Sequence, residues 1–191
     1  YNVLMLSIAL LLAVQLTSPG IKARRLYRTI NFLPIATSLT VCALVFDRLL
    51  AANYGFVNIV INALGGEGDT AFVSSAEWIK RSVVAMRLWR GTGYYSAFMI
   101  AGLLSIPAEQ YEAADLDGCS GLQKFVHITL PSLRPVLLFC ITMSVILTFQ
   151  LFDEPWILTQ GGPSDASLTL QILLYQNSFA YNKLGVGSAI S

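Results

Sequence analysis

The sequence is poor in charge, in histidine and in cysteine. Of its 191 residues, 12% are charged, about half the share of roughly 25% found in soluble domains. Hydrophobic residues make up 55% of the chain, so neither a soluble globular domain nor a disordered chain is expected. The net charge of +1 lacks the basic excess that a nucleic-acid-binding surface needs. The composition therefore indicates a membrane protein without a nucleic-acid partner.

The chain also lacks the patterns of common catalytic and cofactor sites. It has no P-loop and no Gly-x-Ser-x-Gly elbow, and the glycine-rich stretch 65–68 lacks the context of a dinucleotide site. His127 is the single histidine, so no histidine-based metal cluster is expected. Cys42 and Cys140 lie in apolar runs and Cys119 in a polar loop, which does not indicate a disulfide framework. We therefore expect no catalytic residue, no metal site and no bound cofactor in this chain.

Several long runs contain little or no charge. Each is close to the ~20 residues with which a helix crosses ~30 Å of hydrocarbon. Helix is the expected form, because lipid cannot satisfy the polar groups of an open backbone. The predicted membrane spans are about 1–16, 29–50, 82–104 and 132–152, with the start of a last span at 184.

These spans predict an all-α, polytopic transmembrane helix bundle that forms one domain, residues 1–191. The first loop, about 17–28, has four basic residues and no acid, so the positive-inside rule places it in the cytoplasm. Because successive loops alternate sides, the loop at about 105–131 is also predicted to be cytoplasmic. The four basic residues of the first loop are Lys22, Arg24, Arg25 and Arg28.

The 105–131 loop has the features of a short helix followed by a turn. Pro107 suits a first helical turn, where its missing N–H has no intrahelical role. Glu109 and Glu112 favour the positive N-terminal end of that helix. Gly118 can adopt the left-handed conformation that ends a helix. The loop is therefore predicted to be helical between these prolyl and glycyl positions.

The residue order in this loop resembles the cytoplasmic EAA motif of membrane subunits in binding-protein-dependent ABC importers. Glu112, Ala113 and Ala114 are followed after three residues by Gly118, and nine residues later Ile-x-Leu-Pro occupies 128–131. In that family the loop docks on a cytoplasmic ATPase. The residues that the resemblance implies for this docking are Glu112, Ala113, Ala114, Asp117, Gly118, Ile128, Leu130 and Pro131.

The resemblance to this family extends along the whole chain, and it is strongest to the sugar-uptake type that includes maltose and glycerol-phosphate permeases. It implies a helix bundle of the ABC importer permease type. The chain is then a fragment of a six-helix subunit, without its first helix and most of its last. The other matching stretches are Arg28 with Phe32-Leu33-Pro34, Tyr54-Gly55 with Asn58, Trp89-Arg90 with Gly93, Ala101-Gly102-Leu103, Phe152-Asp153 and Leu158-Thr159-x-Gly161-Gly162-Pro163.

The same resemblance implies what the protein works with. A second permease subunit, a cytoplasmic ABC ATPase dimer and an extracytoplasmic solute-binding protein are the expected partners, together with membrane lipid. ATP and Mg²⁺ are expected on the ATPase and not on this chain. The implied location is a bacterial or archaeal cell (inner) membrane, crossed several times. The implied solute is a sugar or a related polyol derivative.

Two arginines lie within or near a predicted span. Arg87 and Arg90 are three residues apart and share one helix face. They are interpreted either as interfacial anchors beside Trp89 or as part of a polar solute path. Arg87 departs from the family pattern, in which an apolar residue is expected, and this suggests an acidic or phosphorylated sugar or a shifted helix end. The candidate solute-path residues are Arg87, Arg90, Tyr94, Phe149, Gln150 and Asp153.

Alternatives remain at the level of single residues and of the whole protein. Tyr94 and Phe149 are also typical of packing residues, and Asp153 of a contact at a helix end. For the protein, the alternative is a fragment of a secondary transporter or channel that has no ATPase partner. A membrane-embedded enzyme is a further alternative, but it needs a polar catalytic cluster that the sequence does not contain.

Overall fold

The computed structural model describes residues 1–18, 24–66 and 70–191 of the chain. Lys22, one of the basic residues of the predicted first loop, lies outside the described residues. Within the described ranges all regular secondary structure is helical, so the predicted all-α fold is confirmed. The α-helices are α1 (Asn2–Thr17), α2 (Arg24–Ala36), α3 (Leu39–Leu49), α4 (Phe56–Ala63), α5 (Ile79–Leu104), α6 (Ala108–Leu116), α7 (Gly121–Lys124), α8 (Leu130–Ser132), α9 (Arg134–Phe149), α10 (Asp153–Thr159), α11 (Leu170–Tyr175) and α12 (Leu184–Ile190), and the π-helical segments are Phe125–Thr129 and Gln176–Ala180.

Helices occupy the stretches in which membrane spans are predicted. The ends of α1, α5 and α9 lie within three residues of the predicted limits 1–16, 82–104 and 132–152. Helix α12 begins at Leu184, where the last span is predicted to start. The charge-free runs thus locate the main helices of the chain.

The predicted span 29–50 is not one continuous helix. Helix α2 ends at Ala36, and α3 begins at Leu39 after Ser38 in extended conformation. Pro34 lies inside α2, where it cannot donate a backbone hydrogen bond and its ring crowds the preceding turn. The helix ends two residues after this weak point. An uncharged run does not reveal such a break, because it reports the polarity of side chains and not the bonding of the backbone.

By length and composition, one described helical stretch, Arg134–Thr159, is long and apolar enough to cross a membrane. Helices α2 and α3 meet the same requirement only when they are counted as one broken span, and α1 is apolar but shorter. Helix α5 has 26 residues, but its first half includes four basic side chains, which lower its hydropathy. These basic residues are Lys80, Arg81, Arg87 and Arg90.

The chain divides into two compact units, and the first unit comprises Tyr1–Ala36 and Arg90–Val145. Its helices approach closely at glycines of α5. A methyl group on Gly93 would meet the carbonyl oxygen of Asn31 in α2, and one on Gly102 would lie 2.9 Å from side-chain atoms of Leu133 and Val136. Close approach at small residues is a common way for helices to pack in membranes, where dispersion contacts replace the hydrophobic effect.

The second unit comprises Thr37–Trp89 and Ile146–Ser191. Its buried apolar contacts join the first half of α5 to α3 and α10. One cluster contains Cys42 and Met86, and a second contains Ile79, Val83 and Leu158. These contacts fix α10 against α5, which positions Asp153 and Glu154 in the first turn of α10.

The contact at Gly93 gives a direct test of the helix packing in the first unit. We expect Gly93→Ala to destabilise the protein by about 1–3 kcal/mol, the usual cost of overpacking, because the atom that the methyl group meets belongs to the backbone of Asn31. The measurement is the unfolding temperature of the purified full-length protein. Gly185→Ala is the control, since it is also in a helix and has open space around it. Equal unfolding temperatures for the two variants would contradict the close approach.

Candidate functional site

The 105–131 loop is a helical hairpin whose first arm is α6. Pro107 occupies the position before the helix, and Glu109 lies in its first turn. At its other end the Cys119 N–H donates to the Ala114 carbonyl (2.9 Å) and the Gly118 N–H to the Asp115 carbonyl (3.1 Å). This pair of bonds is the Schellman pattern, in which the residue after the cap is left-handed.

Gly118 is that left-handed residue, with φ +73°. No atom lies within 4 Å of the position that a Cβ would occupy there. Glycine is therefore required at this turn by the backbone conformation and not by lack of space, since a Cβ in the left-handed region costs roughly 1–2 kcal/mol. The predicted end of the helix at Gly118 is confirmed.

The second arm of the hairpin begins at Ser120 with a capping box. The Ser120 hydroxyl accepts from the Gln123 N–H, and the Gln123 side chain accepts from the Ser120 N–H. Each group satisfies one of the free N–H groups at the start of α7. Helix α7 then continues into the π-helical segment Phe125–Thr129, a wider winding that often occurs at functional sites.

Two side-chain contacts join the arms of the hairpin. The hydroxyl groups of Tyr111 in α6 and Thr129 in the π-helical segment lie 2.8 Å apart, and Thr129 is buried. Lys124 forms an ion pair with Asp115. The Asp115 carboxylate is largely exposed, so this pair contributes little free energy, and the less exposed hydroxyl contact is the stronger constraint on the two arms.

Between the arms lies an open cleft of about 410 Å³. Four of the eight predicted docking residues line it, while Glu112 and Gly118 lie exposed beside it. Leu130 and Pro131 are half-buried at the start of the next helix and do not line the cleft. The cleft residues are Gln110, Ala113, Ala114, Asp117, Cys119, Gln123, Lys124, His127 and Ile128.

The candidate solute-path residues are divided between the two units. Arg90 and Tyr94 belong to the first unit and the other four to the second. The Tyr94 ring contacts Tyr95 and Phe98 edge-on, at 5.2 and 5.1 Å between centroids. This arrangement is typical of aromatic packing. Asp153 is exposed at the start of α10.

Phe149 and Gln150, in contrast, are brought together. Both line an open hollow of about 420 Å³ in the second unit. Phe149 is 65% exposed, and the amide of Gln171 adds a second polar group. The hollow therefore combines an aromatic face with two amides. The remaining lining residues are Ile146, Leu170, Leu174, Ile190 and Ser191.

Arg87 is held by two acceptors within the second unit. Its Nη1 donates to Glu154 Oε1 at 3.0 Å, and its Nη2 donates to the Leu147 carbonyl at 3.1 Å. The Glu154 side chain is only 3% exposed. A carboxylate buried to this degree needs a partner of opposite charge, and Arg87 supplies it.

Sequence reasoning did not identify Tyr111, Thr129 and Glu154. The two hydroxyl residues are 18 positions apart, and no periodic pattern relates them. Glu154 had a recognisable signal, because an acid and a base that both lie in or near apolar segments tend to pair. Arg87 and Glu154 are such a pair, and their opposite signs favour a contact between α5 and α10.

The loop and bundle geometry can be compared with known proteins. The chain matches, over residues 5–190, the family described as "Binding-protein-dependent transport system inner membrane component". The match covers nearly the whole chain, so this protein belongs to that family. The predicted resemblance to ABC importer permeases is thereby confirmed.

Curated relatives give the same assignment. The arabinooligosaccharides transport system permease protein AraP of Bacillus subtilis is 36% identical over 98% of this chain. The lactose transport system permease protein LacF of Rhizobium radiobacter is 35% identical over 93%, and the trehalose/maltose transport system permease protein MalF of Thermococcus litoralis is 32% identical over 100%. The chain spans 60%, 60% and 62% of their lengths, respectively. All three are named as permeases and not as enzymes, as predicted for this chain.

Solved structures show the same fold. A crystal structure of a bacterial ABC transporter that imports the acidic polysaccharide alginate matches 99% of this chain and 70% of that chain, with a TM-score of 0.77 and 22% identity. A second, of the alginate transporter with an alginate pentasaccharide-bound periplasmic protein, matches 97% of this chain and 65% of that chain, with a TM-score of 0.78. The chain thus has the helical fold of an ABC importer permease.

The hydroxyl contact between the arms of the hairpin can be tested by hydrogen–deuterium exchange. We expect Tyr111→Phe to speed amide exchange in Ala108–Leu116, because removal of one hydrogen bond loosens α6 by about 1 kcal/mol. Tyr27→Phe is the control, since it removes the same hydroxyl from an exposed tyrosine. Unchanged exchange in α6 would show that the contact does not restrain the hairpin.

Proposed function

We propose that this chain is part of a permease subunit that moves a sugar or related polyol derivative across a bacterial or archaeal inner membrane, which it crosses several times. The observation that carries the proposal is the 105–131 loop, where the residues of the motif form a braced hairpin with a cleft. The names of AraP, LacF and MalF, which are permeases for arabinooligosaccharides, lactose and trehalose/maltose, support a carbohydrate as the solute.

The proposed assembly contains four kinds of partner. A second permease subunit completes the pathway, a cytoplasmic ATPase dimer binds ATP and Mg²⁺, an extracytoplasmic protein delivers the solute, and lipid surrounds the helices. The description of the family as binding-protein-dependent supports the delivery partner. This chain itself carries out no covalent step, and the energy comes from ATP hydrolysis on the partner.

The hairpin is suited to docking on the ATPase. Glu112 is exposed and offers a carboxylate to a basic group, while Ala113 is small and exposed, so that another backbone can approach closely. Gly118 and the bond between Tyr111 and Thr129 keep the two arms in a fixed relation. In the proposed cycle the two nucleotide states of the ATPase make different contacts with this hairpin, and that difference drives the transport step.

The hollow beside Phe149 and Gln150 has the chemistry of a carbohydrate contact. An amide both donates and accepts hydrogen bonds, which matches the alternating donor and acceptor character of sugar hydroxyls. The exposed Phe149 ring offers an apolar surface to the C–H groups of a sugar ring. Gln171 supplies the second amide. These contacts support a role for Phe149 and Gln150 on the solute path.

The first test of the proposed function uses the turn of the hairpin. The full-length permease is purified with its ATPase and reconstituted in proteoliposomes, and ATP-driven sugar uptake is measured. We expect Gly118→Val to reduce the amount of sugar taken up per ATP hydrolysed at least about tenfold. A β-branched residue at this φ destabilises the native conformation of the turn by roughly 1–2 kcal/mol or more. Gly121→Ala is the matched control, since Gly121 has open space and no positive φ.

The two possible results separate the importer from its alternative. Loss of coupling in Gly118→Val, with normal coupling in Gly121→Ala, supports docking of this loop. Uptake that continues without ATP, in a preparation that retains no ATPase, would show that the protein is a secondary transporter or channel and not an ABC importer.

The charge of Glu112 provides a second test. A charge-assisted hydrogen bond contributes about 1.5–3 kcal/mol, so Glu112→Gln is expected to weaken ATPase binding at least about tenfold. Glu109→Gln is the control, because it removes the same exposed charge from the same helix but outside the motif. The measurement is the Kd of the ATPase for the reconstituted permease. Equal losses in both variants would show that only the net charge of α6 matters.

A further inference from the structure

The end of α9 and the start of α10 form a junction at which the helical hydrogen bonding is interrupted. Helix α9 ends at Phe149 and α10 begins at Asp153. In this interval the Leu151 N–H donates to the Thr148 carbonyl at 3.3 Å, instead of to the Leu147 carbonyl one residue earlier. The Leu147 carbonyl therefore needs another donor, since unsatisfied backbone groups are costly in apolar surroundings.

Arg87 is that donor, and its positive charge also balances the Glu154 carboxylate on the other side of the junction. Its Nη2 reaches the Leu147 carbonyl at the end of α9, and its Nη1 reaches the Glu154 carboxylate in the first turn of α10. A guanidinium group is a planar fork with several donors, so it can bridge two acceptors that an ammonium group cannot hold in the same geometry. One side chain of α5 thus joins both sides of the junction.

The surroundings of this bridge are arranged for rigidity. Thr169 donates to the Leu151 carbonyl at 2.6 Å, and the rings of Phe152 and Trp156 stack at 5.4 Å with 17° between their planes. Only 20% of the Arg87 side chain and 3% of the Glu154 side chain are exposed. The pair is therefore largely shielded from solvent.

We propose that Arg87 is a positioning residue that fixes the junction between α9 and α10, and that it is not the group that binds the charge of an acidic or phosphorylated solute. This inference rests on the proposed function, because it concerns the solute path of a carbohydrate permease. In this proposal the Glu154 carboxylate balances the charge of the Arg87 guanidinium group. The positions of Phe149 and Gln150, at the end of α9, then depend on Arg87.

The test uses the complete permease complex in proteoliposomes, with maltotriose as a neutral probe and digalacturonate as an acidic probe. The variants are Arg87→Gln, Glu154→Gln and the double variant with both changes. We expect each single change to lower the maximal uptake rate at least about tenfold, because it leaves one member of a buried pair without its partner. Any change in KM is expected to be alike for the neutral and the acidic probe, because Arg87 acts through the position of Phe149 and Gln150 and not on the charge of the solute.

The double variant distinguishes a positioning role of Arg87 from a role in binding the charge of the solute. It also shows whether the single variants lose uptake only because they misfold. Two neutral glutamines leave no unpaired charge in the interior, so assembly and part of the uptake rate should be restored relative to either single variant. Hydrogen–deuterium exchange of residues 147–156 is measured in parallel. We expect it to rise in both single variants and to fall again in the double variant.

A role in binding an anionic solute gives a different pattern. Glu154→Gln would then release the guanidinium group and improve uptake of digalacturonate, and Arg87→Gln would raise the KM for that probe alone while exchange at the junction stayed unchanged. Either result would overturn the inference. If the wild-type complex transports neither probe, these two carbohydrates are not its solutes. Exchange at residues 147–156 still decides the role of Arg87, and the ATP dependence of uptake tests the proposed function separately.

Discussion

The structure depends on one constraint, which is that backbone polar groups must be bonded within the protein wherever water is absent. Helices meet this constraint along their length but not at their ends. At the last turn of α1, Arg28 donates to the Leu16 carbonyl at 3.0 Å. Arg87 does the same for Leu147 at the end of α9. These two arginine side chains thus act where a helix stops.

Glycines meet two separate needs, and the distinction decides which of them bear on function. Gly93 and Gly102 allow close approach, since added methyl groups would meet atoms of neighbouring helices. Gly118 is surrounded by open space but has a φ of +73°. A larger residue at the first two positions separates helices, whereas at the third it changes only the direction of the chain. Changes at Gly118 therefore act on the hairpin with little effect on packing.

Much of this architecture could be predicted from the sequence, and the exceptions have a common cause. Charge-free runs located the long helices, and the spacing from Glu112 to Gly118 gave the first arm of the hairpin and its end. Such features depend on neighbours in the chain. The contact of Tyr111 with Thr129 depends on how two segments fold back, and the break after Ala36 on backbone bonding near a proline. Neither property is recorded in hydrophobic periodicity, although Pro34 is a local signal for the break.

The two helices that frame the hairpin also carry the Arg87 bridge. Helix α5 leads into the loop and has Arg87 about five turns before its end, and α9 follows the loop and has Leu147 in its last turn. Near the loop, Gly102 of α5 lies against Leu133 and Val136. Within the second unit, Arg87 and Glu154 either move together or separate when the junction of α9 and α10 is displaced. Since separation would leave a buried charge unpaired, movement of the pair as one body costs less, and the residues at the end of α9 are carried with it.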